Sequence, residues 1–234
     1  MSDIRLTGVT VTVPVLTGPR VGAKVLVADL DLHLTEPRIA VIGANGSGKS
    51  TFLRLLNGLV APTTGTVNVD GLDTIRDGRK VRRHVGFIFT DPQAQLVMST
   101  PIEDIELSLR RRLPRRRERE AAAYSLLQTR GLAHLARQSI YDLSGGERQL
   151  IALTAVLAVE PVVVVADEPT TLLDLRHREH LRATFARLDQ QLIVSSHDLE
   201  FITDFDRVLV MDGGQVVFDG APAPAIEHYR GLLV

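Results

Sequence analysis

Cysteine is missing from the whole 234-residue chain, which excludes disulfides and thiolate metal sites. Aromatic residues make up only 4% of it, and no Phe, Tyr or Trp precedes Phe52. Net charge is nearly absent too: the formal value of −1 exerts no global pull towards nucleic acid or membrane. The start, MSDIRLTGVTV, has neither the basic residues nor the apolar core of a signal peptide. The most apolar run, LIALTAVLAVEPVVVVA (150–166), is interrupted at Glu160-Pro161 and falls short of the about 20 apolar residues that span a bilayer. The expectation is a cytoplasmic protein, attached to the inner face of the membrane only through partners.

What is present is ordinary globular composition, 44% hydrophobic and 24% charged, enough to build a core without staples. RIAVIG, PVVVVAD and QLIVSSH are nearly continuous apolar runs, the pattern of strands covered on both faces. TVNVDG and VLVMDGGQVVFDG read instead as half-exposed antiparallel strands, the second folded at a Gly-Gly turn. Between VGFIF and PVVVVAD the apolar spacing becomes helical, with a break at Pro114. The reading is one α/β domain. Residues 1–91 and 159–234 form its core with an antiparallel β-subdomain, and 92–158 form a helical insertion.

RIAVIGANGSGKST (38–51) places Gly43-x-x-x-x-Gly48-Lys49-Ser50 between an apolar strand and a helical run. In that context the glycines let successive N–H groups turn inwards onto phosphate oxygens. The helix start adds its positive end. The cradle comprises Gly43, Ala44, Asn45, Gly46, Ser47, Gly48, Lys49, Ser50 and Thr51. Lys49 supplies a cation for the β- and γ-phosphates, and Ser50 a hydroxyl for Mg²⁺. Asp167-Glu168 closes a buried strand at the sheet edge where α/β proteins bind ligands. Asp167 suits Mg²⁺, and Glu168 suits activation of a water. LSGGERQ (143–149) opens a helix with a second anion cradle.

Gly43–Thr51, Leu143–Gln149, Val162–Glu168 and His197 resemble, in order, the Walker A, signature, Walker B and switch-histidine motifs of ABC-type ATPases. The resemblance covers essentially the whole chain. It implies a P-loop NTPase (RecA-like) core and a head-to-tail dimer, with a second copy or with a paralogous ATPase. Two ATPs would lie between Walker A of one subunit and Ser144, Gly145, Gly146 and Glu147 of the other. It also implies that His197 contacts the γ-phosphate. Leu172–Leu175 resembles the D-loop, keeping the acid as Asp174 while Leu172-Leu173 is bulkier than the usual pattern. The aromatic that usually stacks on adenine is missing; Val13 or its neighbours would replace it, with modest discrimination between ATP and GTP.

Thr90 stands where the family usually carries a Gln that reaches Mg²⁺ and the attacking water. Two readings stay open: a Thr hydroxyl serving the Mg²⁺ site, or a plain strand end. The stretch DPQAQLVMSTPIEDIELSL, with Gln95, is similar to that of energy-coupling-factor (ECF) importer ATPases, and Thr at position 90 resembles their biotin-importer branch. The resemblance implies ATP hydrolysis with Mg²⁺. It also implies a transmembrane coupling protein docking near Gln95 and a small substrate-binding membrane protein, with no nucleic acid. Exporter ATPases, other importers (for a transition-metal ion, for example) and soluble ABC ATPases are the competing classes. The Arg-rich run, Arg110–Arg112, Arg115–Arg117 and Arg119, reads as a solvated helix face balanced by Glu118 and Glu120. Anionic lipid is its sharper alternative.

Overall fold

The computed structural model describes residues 2–17, 20–171 and 173–232. Leu172 of the D-loop segment lies outside them. Two sheets organise the chain. The long hairpin of β1 (Ile4–Thr17) and β2 (Arg20–Leu34) is antiparallel. Together with β4 (Thr64–Val69) and β5 (Leu72–Asp73) it makes a four-stranded sheet in the order β2-β1-β4-β5.

The second sheet contains β3 (Arg38–Ile42), β6 (Val85–Ile88), β7 (Val163–Asp167), β8 (Gln191–Ser195), β9 (Arg207–Asp212) and β10 (Gln215–Gly220). Its order is β10-β9-β3-β8-β7-β6, parallel except for the β9–β10 hairpin. Successive strand residues point to opposite faces, so β7 feeds two cores. Val163 and Val165 join the core beneath the four-stranded sheet and α1 (Lys49–Leu56). Val164 and Ala166 join the opposite core. Residues of β3, β8 and β9 divide the same way, which is why these runs lack alternation. Removing one such side chain, as in Ile193→Ala, costs about 2–5 kcal/mol.

One strand departs from expectation. β9 is not half-exposed; Val208–Met211 are fully buried, and β9 pairs in parallel with β3. Only β10 alternates. The Gly-Gly turn is present, with φ of 55° at Gly213 and 84° at Gly214, as a two-residue hairpin of this kind requires.

The short α2 (Gly78–His84) precedes β6. Residues 92–158 carry α3 (Pro101–Leu109), α4 (Arg116–Thr129) and α5 (Gly145–Leu157). Their apolar side chains, including Ile105, Leu127 and Ile151, merge with Val164 and Val194 of the sheet into one core. The helices α6 (Leu175–Ala186) and α7 (Pro222–Gly231) cover the same face. Pro114 separates α3 from α4, and Arg119 donates to the free carbonyls of Leu113 and Pro114, each at 3.0 Å. Within the Arg-rich run, Arg112 pairs with Glu160 at 2.7 Å and Arg115 with Glu118 at 2.9 Å. Glu120 turns away to Arg137, so it does not balance the run as expected. Among the described residues, no helix is long and apolar enough to cross a membrane.

Candidate functional site

Four chain segments leave the carboxyl ends of neighbouring strands β3, β8, β7 and β6 at one sheet edge. They carry the phosphate loop, Ser195–His197, Asp167-Glu168 and Thr90 respectively. The loop is wedged against its neighbours. A Cβ on Gly43 (φ 152°) would lie 2.1 Å from the Met211 carbonyl oxygen, and one on Gly48 (φ 104°) 2.6 Å from that of Leu26. Both positions therefore demand glycine sterically. The Ser47 N–H donates to Ala44 at 3.2 Å, and the Ser47 carbonyl accepts from Gly214 of the hairpin turn at 3.0 Å.

Lys49 is only 6% exposed. Its Nζ donates to the loop's own carbonyls, Gly43 at 2.7 Å and Ala44 at 3.0 Å, and lies 3.9 Å from Glu168 Oε1. Burial pushes its pKa down, against the opposing pull of the Glu168 and Asp167 charges. Beside the loop is a cavity of about 230 Å³, lined by Asn45–Gly46, Gly48–Thr51 and Glu168. The wall from the β1–β2 hairpin is Lys24 and Leu26; Val13 does not line the cavity, but it pairs across the hairpin with Lys24. Leu26 is the aliphatic part of that wall.

The carboxylates are held by hydroxyls. Asp167, 1% exposed, accepts at Oδ1 from Ser50 Oγ and from Ser195 Oγ, both at 2.9 Å. Arg54 approaches Oδ2 at 3.8 Å. The Thr90 hydroxyl donates to the main-chain carbonyl of Asp167 at 2.8 Å. This bond extends the β6–β7 ladder past its last paired residues, Ile88 and Ala166. Thr90 thus spends its hydrogen on the strand end, and only its lone pairs face elsewhere. Glu168 has a left-handed φ of 49°, a conformation that costs a non-glycine residue about 1–3 kcal/mol. Its N–H donates to Ser195 Oγ at 2.9 Å, and its Oε1 lies 3.0 Å from His197 Nε2. His197 Nε2 is also 3.0 Å from Asn45 Oδ1, which joins the loop to the carboxylate.

These residues fit a magnesium–nucleotide ligand. Ser50 and Asp167 present hard oxygen donors of the kind Mg²⁺ takes. Ser47 Oγ is buried without a hydrogen-bond partner among the described residues. The Lys49 hydrogens rest on carbonyls that phosphate oxygens would outcompete.

The second cradle stands apart; none of Ser144, Gly145, Gly146 and Glu147 lines this cavity. Ser144 caps α5 in a reciprocal box, its Oγ accepting from the Glu147 N–H at 3.3 Å and its own N–H donating to Glu147 Oε2 at 2.8 Å. The Ser144 hydroxyl bond, then its N–H, hold the Glu147 pKa below the usual carboxylate value. Asp174 caps α6 by accepting from the His177 N–H at 2.8 Å, and this bond lowers its pKa. The His177 ring lies over Gly146, where a Cβ would meet it at 2.4 Å. Gln95 lines a different groove of about 290 Å³ between β6, α3 and α5. Its Oε1 accepts from the Phe89 N–H at 3.3 Å, and its Nε2 donates to the Ala152 carbonyl at 3.4 Å.

Over residues 27–171 the sequence matches the ABC transporter family. The chain belongs to that family. The biotin transport ATP-binding protein BioM of Rhizobium etli is 45% identical over 92% of this chain and 96% of its own length. The energy-coupling factor transporter ATP-binding protein EcfA1 of Halalkalibacterium halodurans is 36% identical over 86% of this chain and 74% of its own. A dimeric ATP-binding cassette in a post-hydrolysis state, bound to ADP and Pi, superposes with a TM-score of 0.83 at 27% identity. That match covers 94% of this chain and 98% of the other. The protein is an ATPase of the ABC type, similar over most of its length to energy-coupling-factor ATPases.

Three residues beside the loop, the carboxylates or the second cradle carried little or no signal in the sequence. Ser195 links Asp167 to the Glu168 backbone, yet its signal was only a small polar residue two before His197. Leu26 gave none, since any residue of the hairpin could have faced the loop. His177 could have been found only by knowing that the starts of α5 and α6 meet.

Proposed function

We propose that this ATPase energises a membrane importer of the energy-coupling-factor type that takes up a vitamin such as biotin. The observation that carries the reading is the 45% identity, along nearly the full length of both chains, to a biotin transport ATP-binding protein. The groove at Gln95 supports it. Val97, Leu107 and Leu59 remain 69%, 44% and 44% exposed around it, an apolar rim suited to a helix from a transmembrane coupling protein.

In this reading the loop Gly43–Thr51 wraps the triphosphate, and Lys49 leaves its carbonyls for the β- and γ-phosphates. Ser50 and Asp167 hold Mg²⁺, which when bound neutralises phosphate charge. Glu168 orients and deprotonates the attacking water, while His197, between Glu168 and Asn45, contacts the γ-phosphate. Thr90 anchors the Asp167–Glu168 strand end. Ser144, Gly145, Gly146 and Glu147 serve the ATP of a second copy or a paralogous ATPase, and Asp174 links the two sites. Gln95 passes the motion to the membrane partner at its inner face, and a separate small membrane protein selects the cargo.

Affinity purification from native membranes in mild detergent, followed by mass spectrometry, tests the reading. Recovery of a small substrate-binding membrane protein with a separate coupling protein is the expected result, and the former's ligand names the cargo. A large exporter permease, or soluble proteins alone, would overturn it.

A further inference from the structure

Tyr141 is 80% exposed, and among the described residues no other large apolar side chain is as exposed. Its backbone is nevertheless well held. It sits in a 3₁₀ turn, Ile140–Asp142, capped by Ser139, whose Oγ accepts the Tyr141 N–H at 3.3 Å. The Ile140 N–H donates to Ser99 at 3.0 Å, and Arg148 donates to the Ile140 carbonyl at 3.4 Å. A pinned main chain with its ring in solvent is a preorganised platform.

The platform lies three residues before Ser144, the cap of the second anion cradle. Three residues reach at most about 10 Å, the scale that separates the terminal phosphate of ATP from its base. The cavity beside the phosphate loop, meanwhile, offers a base no ring: its hairpin wall is Lys24 and Leu26. One site lacks an aromatic, and the other has one with nothing to cover it.

We propose that Tyr141 of each copy stacks on the nucleobase of the ATP held by the other copy, supplying in trans the aromatic surface its own phosphate-loop cavity lacks. The proposal rests on the reading above that the Ser144–Glu147 cradle serves a second copy's ATP. Stacking tolerates any base because every base has a π-face, so ATP and GTP are discriminated weakly. The dimer then senses the base as well as the γ-phosphate.

The test uses the full chain carrying Glu168→Gln, with dimerisation followed by light scattering as MgATP is titrated. Adding Tyr141→Ala raises the ATP concentration for half-dimerisation about 10-fold, within the range measured for base–aromatic stacks. Tyr141→Phe keeps it within about 2-fold on the same grounds. Since the chain has no tryptophan, Tyr141→Trp adds a single reporter. Its fluorescence falls when MgATP forms the dimer and stays unchanged with inorganic tripolyphosphate. A Tyr141→Ala dimer forming at the unaltered ATP concentration overturns the stacking and leaves the dimer reading standing. Failure to dimerise at all, or dimers unaffected by Ser144→Arg, overturns both.

Discussion

Replacing Thr90 by valine keeps the shape and β-branching of the side chain and removes one hydroxyl. In this protein that hydroxyl donates to the Asp167 carbonyl at 2.8 Å, beyond the end of the β6–β7 ladder. A hydrogen bond of this kind contributes about 0.5–1.5 kcal/mol net, and a buried carbonyl left unpaired costs about 1–3 kcal/mol. Thr90 is half-buried, so a loss of about 1 kcal/mol is the expectation. For a chain of this size that lowers Tm by about 2–4 °C. The freed peptide carries Glu168, whose left-handed φ already needs support from its surroundings. If the same loss of about 1 kcal/mol falls on the transition state, kcat drops about 5-fold. The KM for ATP should hardly change, because Thr90 does not line the phosphate-loop cavity. Thr90→Ser, which keeps the donor, should recover most of both losses. Steady-state ATPase assays and thermal melts on the three proteins decide it. A valine variant with wild-type Tm and kcat would refute the anchoring argument, and a rise in KM alone would place Thr90 at the nucleotide instead.

Glu168→Gln keeps ATP binding and lowers kcat by about 100-fold or more, in the range of general-base loss; single-turnover hydrolysis at the wild-type rate would remove Glu168 from its role. Gly146→Ala pushes a Cβ to 2.4 Å from the His177 ring, so it lowers ATPase activity while leaving ATP binding intact. His177→Ala in the same chain relieves the clash and restores activity, and a double variant as impaired as the single would show that the contact is not the cause. Folding depresses the Glu147 pKa, so its stabilising charge is complete above the unfolded value of about 4.3. That contribution is lost as pH falls through the depressed folded value. Glu147→Gln, which can still cap, should therefore melt below wild type at pH 7, and the gap should close as pH falls through the depressed folded value. A gap that persists or widens in acid would refute the capping-box charge.

The phosphate loop was legible because its chemistry lies in one unbroken stretch: a strand, four spacers, glycine, lysine, serine and a helix. Asp167-Glu168 was legible for the same reason, as the polar end of an all-apolar strand. β9 misled, because the Gly-Gly turn is a local signal and says only that β9 and β10 pair. It is silent on β9's other neighbour, β3, which buries its second face. Val13 lies one strand away from the mark: it pairs across the hairpin with Lys24, which lines the cavity together with Leu26. The order of residues does not say which strand of a hairpin stands nearer the loop.

The order of residues alone was thus enough to show which groups are on offer: two Gly-rich helix starts, a carboxylate pair and a histidine after a buried strand, on an α/β chain that matches the ABC transporter family. Which of them meet depended on the folded arrangement. It brought Asp167, Ser195 and Thr90 from the ends of three strands together with Ser50 from the start of α1, set His197 between Glu168 and Asn45, and left Ser144–Glu147 outside the first cavity. Hydrogen bonds act over about 3 Å. Strand order and register bring residues more than a hundred positions apart within that range, and no local pattern of residues encodes either.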